Sequence, residues 1–92
     1  MKKSLLIYGA GAIGRGFIPW VFDPNEYDFY YVENNLELKE KLNKHKKFIS
    51  YRTNEETYDK KIVEIKECFS PGQEKEIIEK ISAVITAIGP RN

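Results

Sequence analysis

The sequence predicts an α/β fold, a partial doubly wound parallel sheet with an inserted hairpin, and three observations carry that prediction. A short apolar run, Leu5-Leu6-Ile7-Tyr8, passes without a spacer into Gly9-Ala10-Gly11-Ala12-Ile13-Gly14-Arg15-Gly16. An aromatic and β-branched run, Tyr27 to Val32, ends at the acidic Glu33. A further apolar run, Ala83 to Ile88, ends at Gly89-Pro90. Strand-like runs alternating with helix-compatible segments form parallel sheets whose crossovers cover the faces.

Composition bounds what such a fold does. The 92 residues suffice for one small domain, and 41% hydrophobic with 32% charged residues is a globular balance. Fifteen basic against 14 acidic side chains leave a net charge of +1, so bulk charge gives no attraction to nucleic acid. Cys68 is the sole cysteine, which excludes an intrachain disulfide and a cysteine-pair zinc site, and a reducing cytoplasm is the expected compartment. No run approaches the ~18 apolar residues of a membrane span, and the glycines with Arg15 make the start a poor signal peptide.

Taken in order, Leu5 to Tyr8 reads as a strand covered on both faces, because its apolar residues are continuous. Each glycine of the following turn has its own task. Gly9 permits a sharp turn off the strand, Gly11 clears the main chain for a close phosphate, and Gly14 lets the first helix lie near the sheet. Phosphates then face free N–H groups at a helix start. That helix runs from Gly11 or Ala12 to Phe22, with Ile13, Phe17, Ile18 and Val21 near helical spacing. Pro19 removes a hydrogen bond within it, so a kink or an early stop is expected there. Asp23-Pro24-Asn25 supplies the turn.

The second strand, Tyr27 to Val32, places Glu33 nineteen positions after Gly14 (33 − 14 = 19). Dinucleotide-binding folds put an acidic residue on the adenosine ribose at a separation of about 20. A carboxylate accepts from the two ribose hydroxyls and repels a 2′-phosphate, so NAD is expected over NADP. Asn34 or Asn35 caps a helix through about Asn43, with Leu38 and Leu42 on one face and Glu37–Lys41 and Glu40–Lys44 as surface pairs. His45, Lys46 and Lys47 close it as a solvated, basic helix end.

Phe48 to Thr53 and Tyr58 to Ile65, separated by Asn54-Glu55-Glu56, read as an inserted hairpin that contributes little to cofactor chemistry. Ser70 then starts an expected helix: Ser70 caps, Pro71 lies in the first turn, Gln73 completes a capping box, and Ile77, Ile78 and Ile81 form the buried face. Ala83 to Ile88 is the last strand. Ligands of open α/β sheets bind at the carboxyl ends of the strands, where Gly9, Glu33 and Thr86 to Gly89 converge. A Rossmann-type dinucleotide site follows from that convergence.

The stretch Tyr8-Gly-Ala-Gly-Ala-Ile-Gly-Arg-Gly-Phe-Ile18 resembles the opening of the polyol (mannitol) dehydrogenase family, mannitol-1-phosphate 5-dehydrogenases included. Arg15-Gly16-Phe17 makes the likeness narrower than G-x-G-x-x-G, and Thr86-Ala-Ile-Gly-Pro90 is similar to that family's T-A-V-G-P segment. The resemblance covers almost the whole chain. It implies that Leu5 to Gly16 line the NAD pyrophosphate site, with Gly9, Ala10, Gly11, Ala12, Ile13, Gly14, Arg15 and Gly16 as the cofactor-binding residues. It also implies that Glu33 takes the ribose place usually held by aspartate, and that Thr86, Ala87 and Gly89 border the nicotinamide. Pro19 departs from the family's regular helix.

The resemblance implies an NAD-dependent dehydrogenase acting on a sugar phosphate or polyol, whose general-base lysine sits in a helical C-terminal domain. The expectation is therefore one NAD-binding domain or fragment over residues 1–92, inactive alone, with no catalytic residue, no metal, and self-association through an uncovered edge or face. A stand-alone nucleotide-binding regulatory module is the alternative. An FAD-binding half fits less well, because Pro19 interrupts the helix after Gly14.

Overall fold

The structure is a computed structural model and describes residues 2–53 and 58–87. The expected turn at Asn54-Glu55-Glu56 and the end of the last strand, with Gly89, lie outside the described residues. Four parallel strands form the main sheet in the order β5-β2-β1-β6: β1 is Lys3–Tyr8, β2 Tyr27–Val32, β5 Glu67–Phe69 and β6 Ala83–Thr86. The antiparallel pair β3 (Lys47–Thr53) and β4 (Tyr58–Glu64) is the expected hairpin. The α/β, partly doubly wound architecture is thus present.

β1 runs through the middle of the sheet, and its Leu5, Leu6 and Ile7 are fully buried. That is why an unbroken apolar run suits it: alternate residues face opposite layers and both layers are covered. On one face lie α1 (Ala12–Gly16), α2 (Ile18–Val21), α3 (Leu36–His45) and the hairpin, over Leu5, Ile7, Phe29, Tyr31 and Cys68. On the other, Leu6, Val32 and Phe69 pack with Tyr8, Tyr30, Ile77 and Ile81.

The first helix is divided as Pro19 requires. α1 ends at Gly16, Phe17 forms the joint, and α2 restarts with Pro19 in its first turn, where a missing N–H costs nothing. Of the helically spaced residues only Ile18 is buried, while Phe17 and Val21 are more than half exposed. The Asp23 carboxylate then accepts the Asn25 N–H at 2.8 Å and fixes the turn. α3 begins as expected: the Asn35 side chain accepts the Leu38 N–H at 3.1 Å, and Leu42 is its buried anchor. Glu37–Lys41 is an exposed pair at 3.9 Å, whereas Glu40–Lys44 is not among the ion pairs of the described residues.

Two elements differ from expectation. Glu67–Phe69 forms β5, a strand too short for its apolar pattern to signal. Tertiary bonds hold it: the Asn43 amide donates to the Cys68 carbonyl and accepts the Cys68 N–H, both at 2.8 Å. The segment after Ser70 is two 3₁₀ turns, Gln73–Glu76 and Ile78–Lys80, in place of a single α-helix. Gly72 sits at φ +100° just before the first turn, and Ile77 leaves helical geometry between them, so no α-ladder propagates. Half of the capping box survives as the Gln73 side chain accepting the Ser70 N–H at 2.9 Å. Ile77 and Ile81 pack on the sheet, but Ile78 is exposed.

Candidate functional site

The register of the sheet lines up its carboxyl ends. Phe69 pairs with Val32, Val32 with Tyr8, and Tyr8 with Thr86, which puts the four strand ends in one row. One further hydrogen bond between each neighbouring pair of strands extends that row: Gly9 N–H to Val32 O at 2.8 Å, Glu33 N–H to Phe69 O at 2.9 Å, and Ala87 N–H to Tyr8 O at 2.7 Å. The glycine turn, Glu33 and the Thr86–Ala87 segment therefore share one edge. Thr86 is exposed there and Ala87 buried, while Gly89 is outside the described residues.

The turn is built by its glycines. Gly9 adopts φ +103°, a left-handed conformation in which a Cβ is strained. A Cβ on Gly14 would lie 2.0 Å from the Gly9 carbonyl oxygen, so only glycine lets α1 fold back against the end of β1. A Cβ on Gly11 would instead project into open space, as would one on Gly16. Open space at Gly11 is what close approach of a phosphate to the main chain requires. The first helical bond is Arg15 N–H to Gly11 O at 3.0 Å, so the N–H groups of Ala12, Ile13 and Gly14 precede the ladder. With only five residues in α1, these N–H groups rather than a long helix dipole supply the positive potential.

Ala10 is held on both sides. Its N–H donates to Glu33 Oε1 at 2.8 Å, and its carbonyl accepts from Arg15 Nε at 2.6 Å. Glu33 Oε2 accepts the Asn35 N–H at 2.9 Å. The carboxylate thus joins the glycine turn to the start of α3, and each of its oxygens keeps acceptor capacity for a further donor. Sequence spacing locates Glu33 at this edge, but not its bond to Ala10. Beneath the turn, the Tyr31 hydroxyl donates to the Gly14 carbonyl at 2.7 Å, and burial keeps that phenol protonated far above its ordinary range.

Two features escape sequence reasoning. Tyr8 donates its hydroxyl to Glu74 Oε2 at 2.9 Å, tying the end of β1 to the first 3₁₀ turn. That bond, partial burial and the Glu74 charge all push the Tyr8 phenol up. Partial burial disfavours the charged form of Glu74, but backbone N–H groups and the Tyr8 hydroxyl outweigh it and hold the carboxyl below its usual value. Cys68 is buried beneath α3, and burial first, then the Glu33 charge, pushes its thiol up to about 11. A thiol so placed is unreactive at neutral pH.

Grooves elsewhere are lined by other residues. One of about 560 Å³ lies under the first 3₁₀ turn, beside Tyr30, Lys39, Phe69 and Gln73. Another of about 370 Å³ lies at the opposite edge, beside Lys3, Glu26 and Tyr27. Neither touches the glycine turn among the described residues. No group of three or more potential metal ligands occurs among the described residues, and no helix among them is long and apolar enough to cross a membrane.

A parallel α/β sheet with a strand–glycine turn–helix at its carboxyl edge and an acidic residue one strand over defines a Rossmann domain. The sequence matches the family described as mannitol dehydrogenase Rossmann domain over residues 3–92, and the chain belongs to that family. It is 40% identical over 100 residues to a mannitol-1-phosphate 5-dehydrogenase of Mycoplasmopsis pulmonis, covering 100% of this chain and 26% of that protein. It is 33% identical over 93 residues to the enzyme of the same name from Lactococcus lactis, covering 98% of this chain and 24% of that protein. The chain thus spans about a quarter of the length of the curated relatives it matches. The family carries a nicotinamide dinucleotide cofactor.

Proposed function

We propose that this chain binds NAD and positions its nicotinamide for hydride transfer with a sugar phosphate or polyol, as the dinucleotide-binding part of a mannitol-1-phosphate 5-dehydrogenase-like oxidoreductase. The single observation that carries the cofactor reading is the placement of Glu33. Its carboxylate stands 2.8 Å from the Ala10 N–H of the glycine turn, within reach of a ribose whose pyrophosphate lies on that turn. The charge would meet a 2′-phosphate with repulsion, which supports NAD over NADP. In this reading the N–H groups of Ala12, Ile13 and Gly14 hold the pyrophosphate, Gly11 and Gly16 leave room for it, and Arg15 steadies the turn. Thr86 and Ala87 border the nicotinamide. When bound, the nicotinamide ring supplies hydride acceptance or donation.

The relatives' names support a sugar phosphate as substrate, and the groups that bind it and move its proton are assigned to the part of those proteins that this chain does not span. Residues 1–92 on their own then bind cofactor without turnover. β6 has no outer partner among the described residues, and self-association of the isolated chain through that edge follows. Isothermal titration of the chain with NADH and NADPH tests the cofactor reading. Saturable NADH binding, weaker for NADPH and reversed towards NADPH in Glu33→Gln, is the expected result. Absence of NADH binding, or an NADPH preference in the unaltered chain, rejects it.

A further inference from the structure

The hairpin is docked on the glycine helix through a part-buried polar contact. Ser50, in the middle of β3, is 2% exposed and donates its hydroxyl to the Arg15 carbonyl at 2.6 Å. Within a continuous helix that carbonyl would accept the N–H of the residue four positions on, but that residue is Pro19, which has none. A buried carbonyl without a donor is costly, and the hairpin supplies the donor. Trp20 Nε1–H donates to the same Ser50 oxygen at 2.9 Å, and the Arg52 guanidinium and Lys61 ammonium lie 4.3 and 4.2 Å from the centre of the Trp20 ring. The Lys61 ammonium also donates to the Pro19 carbonyl at 3.2 Å.

From Arg15 the connection continues into the site. The same residue whose carbonyl Ser50 holds sends its Nε–H to the Ala10 carbonyl, and the Ala10 N–H meets Glu33. A contiguous set of hydrogen bonds runs from Ser50 through Arg15 and Ala10 to the carboxylate at the ribose position. We propose that Ser50 is a positioning residue of the dinucleotide site: by fixing the end of α1 it fixes the Arg15 side chain, which holds the glycine turn in its binding shape. The inserted hairpin is then part of the cofactor site's support. The inference rests on the reading of the glycine turn as a dinucleotide site.

The test uses the full chain and ADP-ribose, which carries both phosphates and the adenosine ribose without the nicotinamide. Ser50→Ala is expected to raise the dissociation constant of ADP-ribose about fivefold, the worth of one lost hydrogen bond. Ser50→Thr, which keeps the hydroxyl, is expected to restore affinity to within about twofold. Trp20→Phe leaves the Ser50–Arg15 bond in place and is expected to bind as the unaltered chain does. Trp20 is the sole tryptophan. Its emission is expected to respond to saturating ADP-ribose, and to lose that response in Ser50→Ala.

Unchanged affinity in Ser50→Ala overturns the proposal while leaving the dinucleotide reading intact. Failure of Ser50→Thr to rescue, or an equal loss in Trp20→Phe, also overturns it by showing that any disturbance of the hairpin suffices. Should Ser50→Ala unfold at the binding temperature, Ser50→Cys, whose thiol donates only weakly, takes its place with a loss in the same direction expected, and unchanged affinity in it overturns the proposal. An unaltered chain that binds neither ADP-ribose nor NADH sinks both readings together.

Discussion

The two faces of the sheet are built in different ways from similar material. One face is covered by α1, α2, α3 and the hairpin, and its sheet residues Leu5, Ile7, Phe29, Tyr31 and Cys68 are sealed to 0% exposure. The other is covered by two 3₁₀ turns, and around Leu6, Val32 and Phe69 it recruits only half-buried partners. The glycine turn is anchored to the first face by Tyr31 and Ser50, and the end of the strand before it to the second by the Tyr8–Glu74 bond. Fully buried contacts are concentrated on the side where the turn must hold its shape. The other side carries little more than closure of the core.

The strongest way to break this arrangement is Gly14→Ala. Its Cβ would stand 2.0 Å from backbone oxygen, which cannot move aside as a side chain could, so β1 and α1 must separate. A loss of at least about 4 kcal/mol is expected, visible as failure to give a cooperative melt. Gly11→Ala sharpens the contrast. Its Cβ enters open space at an ordinary φ of −79°, so the melting temperature should hold while NADH affinity falls at least about tenfold in titration. Equal effects of the two substitutions on stability would show that the turn has no division of labour.

Next in size, the two faces should differ when truncated. Ile7→Ala removes a fully buried side chain from the sealed face and should cost about 3 kcal/mol in urea unfolding. Ile81→Ala removes a half-buried one from the other face and should cost about 1 kcal/mol. Tyr31→Phe lies between, at about 2 kcal/mol, because it leaves the Gly14 carbonyl without its buried donor.

On both faces the sequence made local signals legible and tertiary contacts opaque, for physical reasons. Leu5 to Tyr8, Tyr27 to Val32 and Asn35's cap carry local signals strong enough to survive into the fold, and the missing N–H of Pro19 announces its own break. β5 has only three residues and depends on Asn43, 25 positions away from Cys68, so no local pattern could reveal it. Ser70 to Ile81 has a capping signal, but Gly72 in a left-handed conformation stops the helix that signal would start. At the site, spacing brings Glu33 to the right edge. The Ser50–Arg15 contact joins residues 35 apart and is invisible without the fold, which is why the hairpin reads as an idle insertion in the sequence.

The smallest effect concerns the Tyr8–Glu74 bond, which ties the turn's strand to the thinner face. Tyr8→Phe removes the hydroxyl that Glu74 accepts, and at this half-exposed position a loss of about 0.5 kcal/mol is expected. The direction of its pH dependence is fixed by the two shifts. The Tyr8 phenol is raised above its ordinary 10.0, so its contribution is present below that pH and is lost as pH rises through the higher folded value. The Glu74 carboxyl is lowered below its ordinary 4.5, so its contribution is present above that pH and is lost as pH falls through the lower folded value. The stability difference between the unaltered chain and Tyr8→Phe should therefore be flat between these limits and shrink beyond either one. Urea midpoints across that range measure it; a difference that grows in acid would mean that Glu74 is held by something other than the Tyr8 hydroxyl.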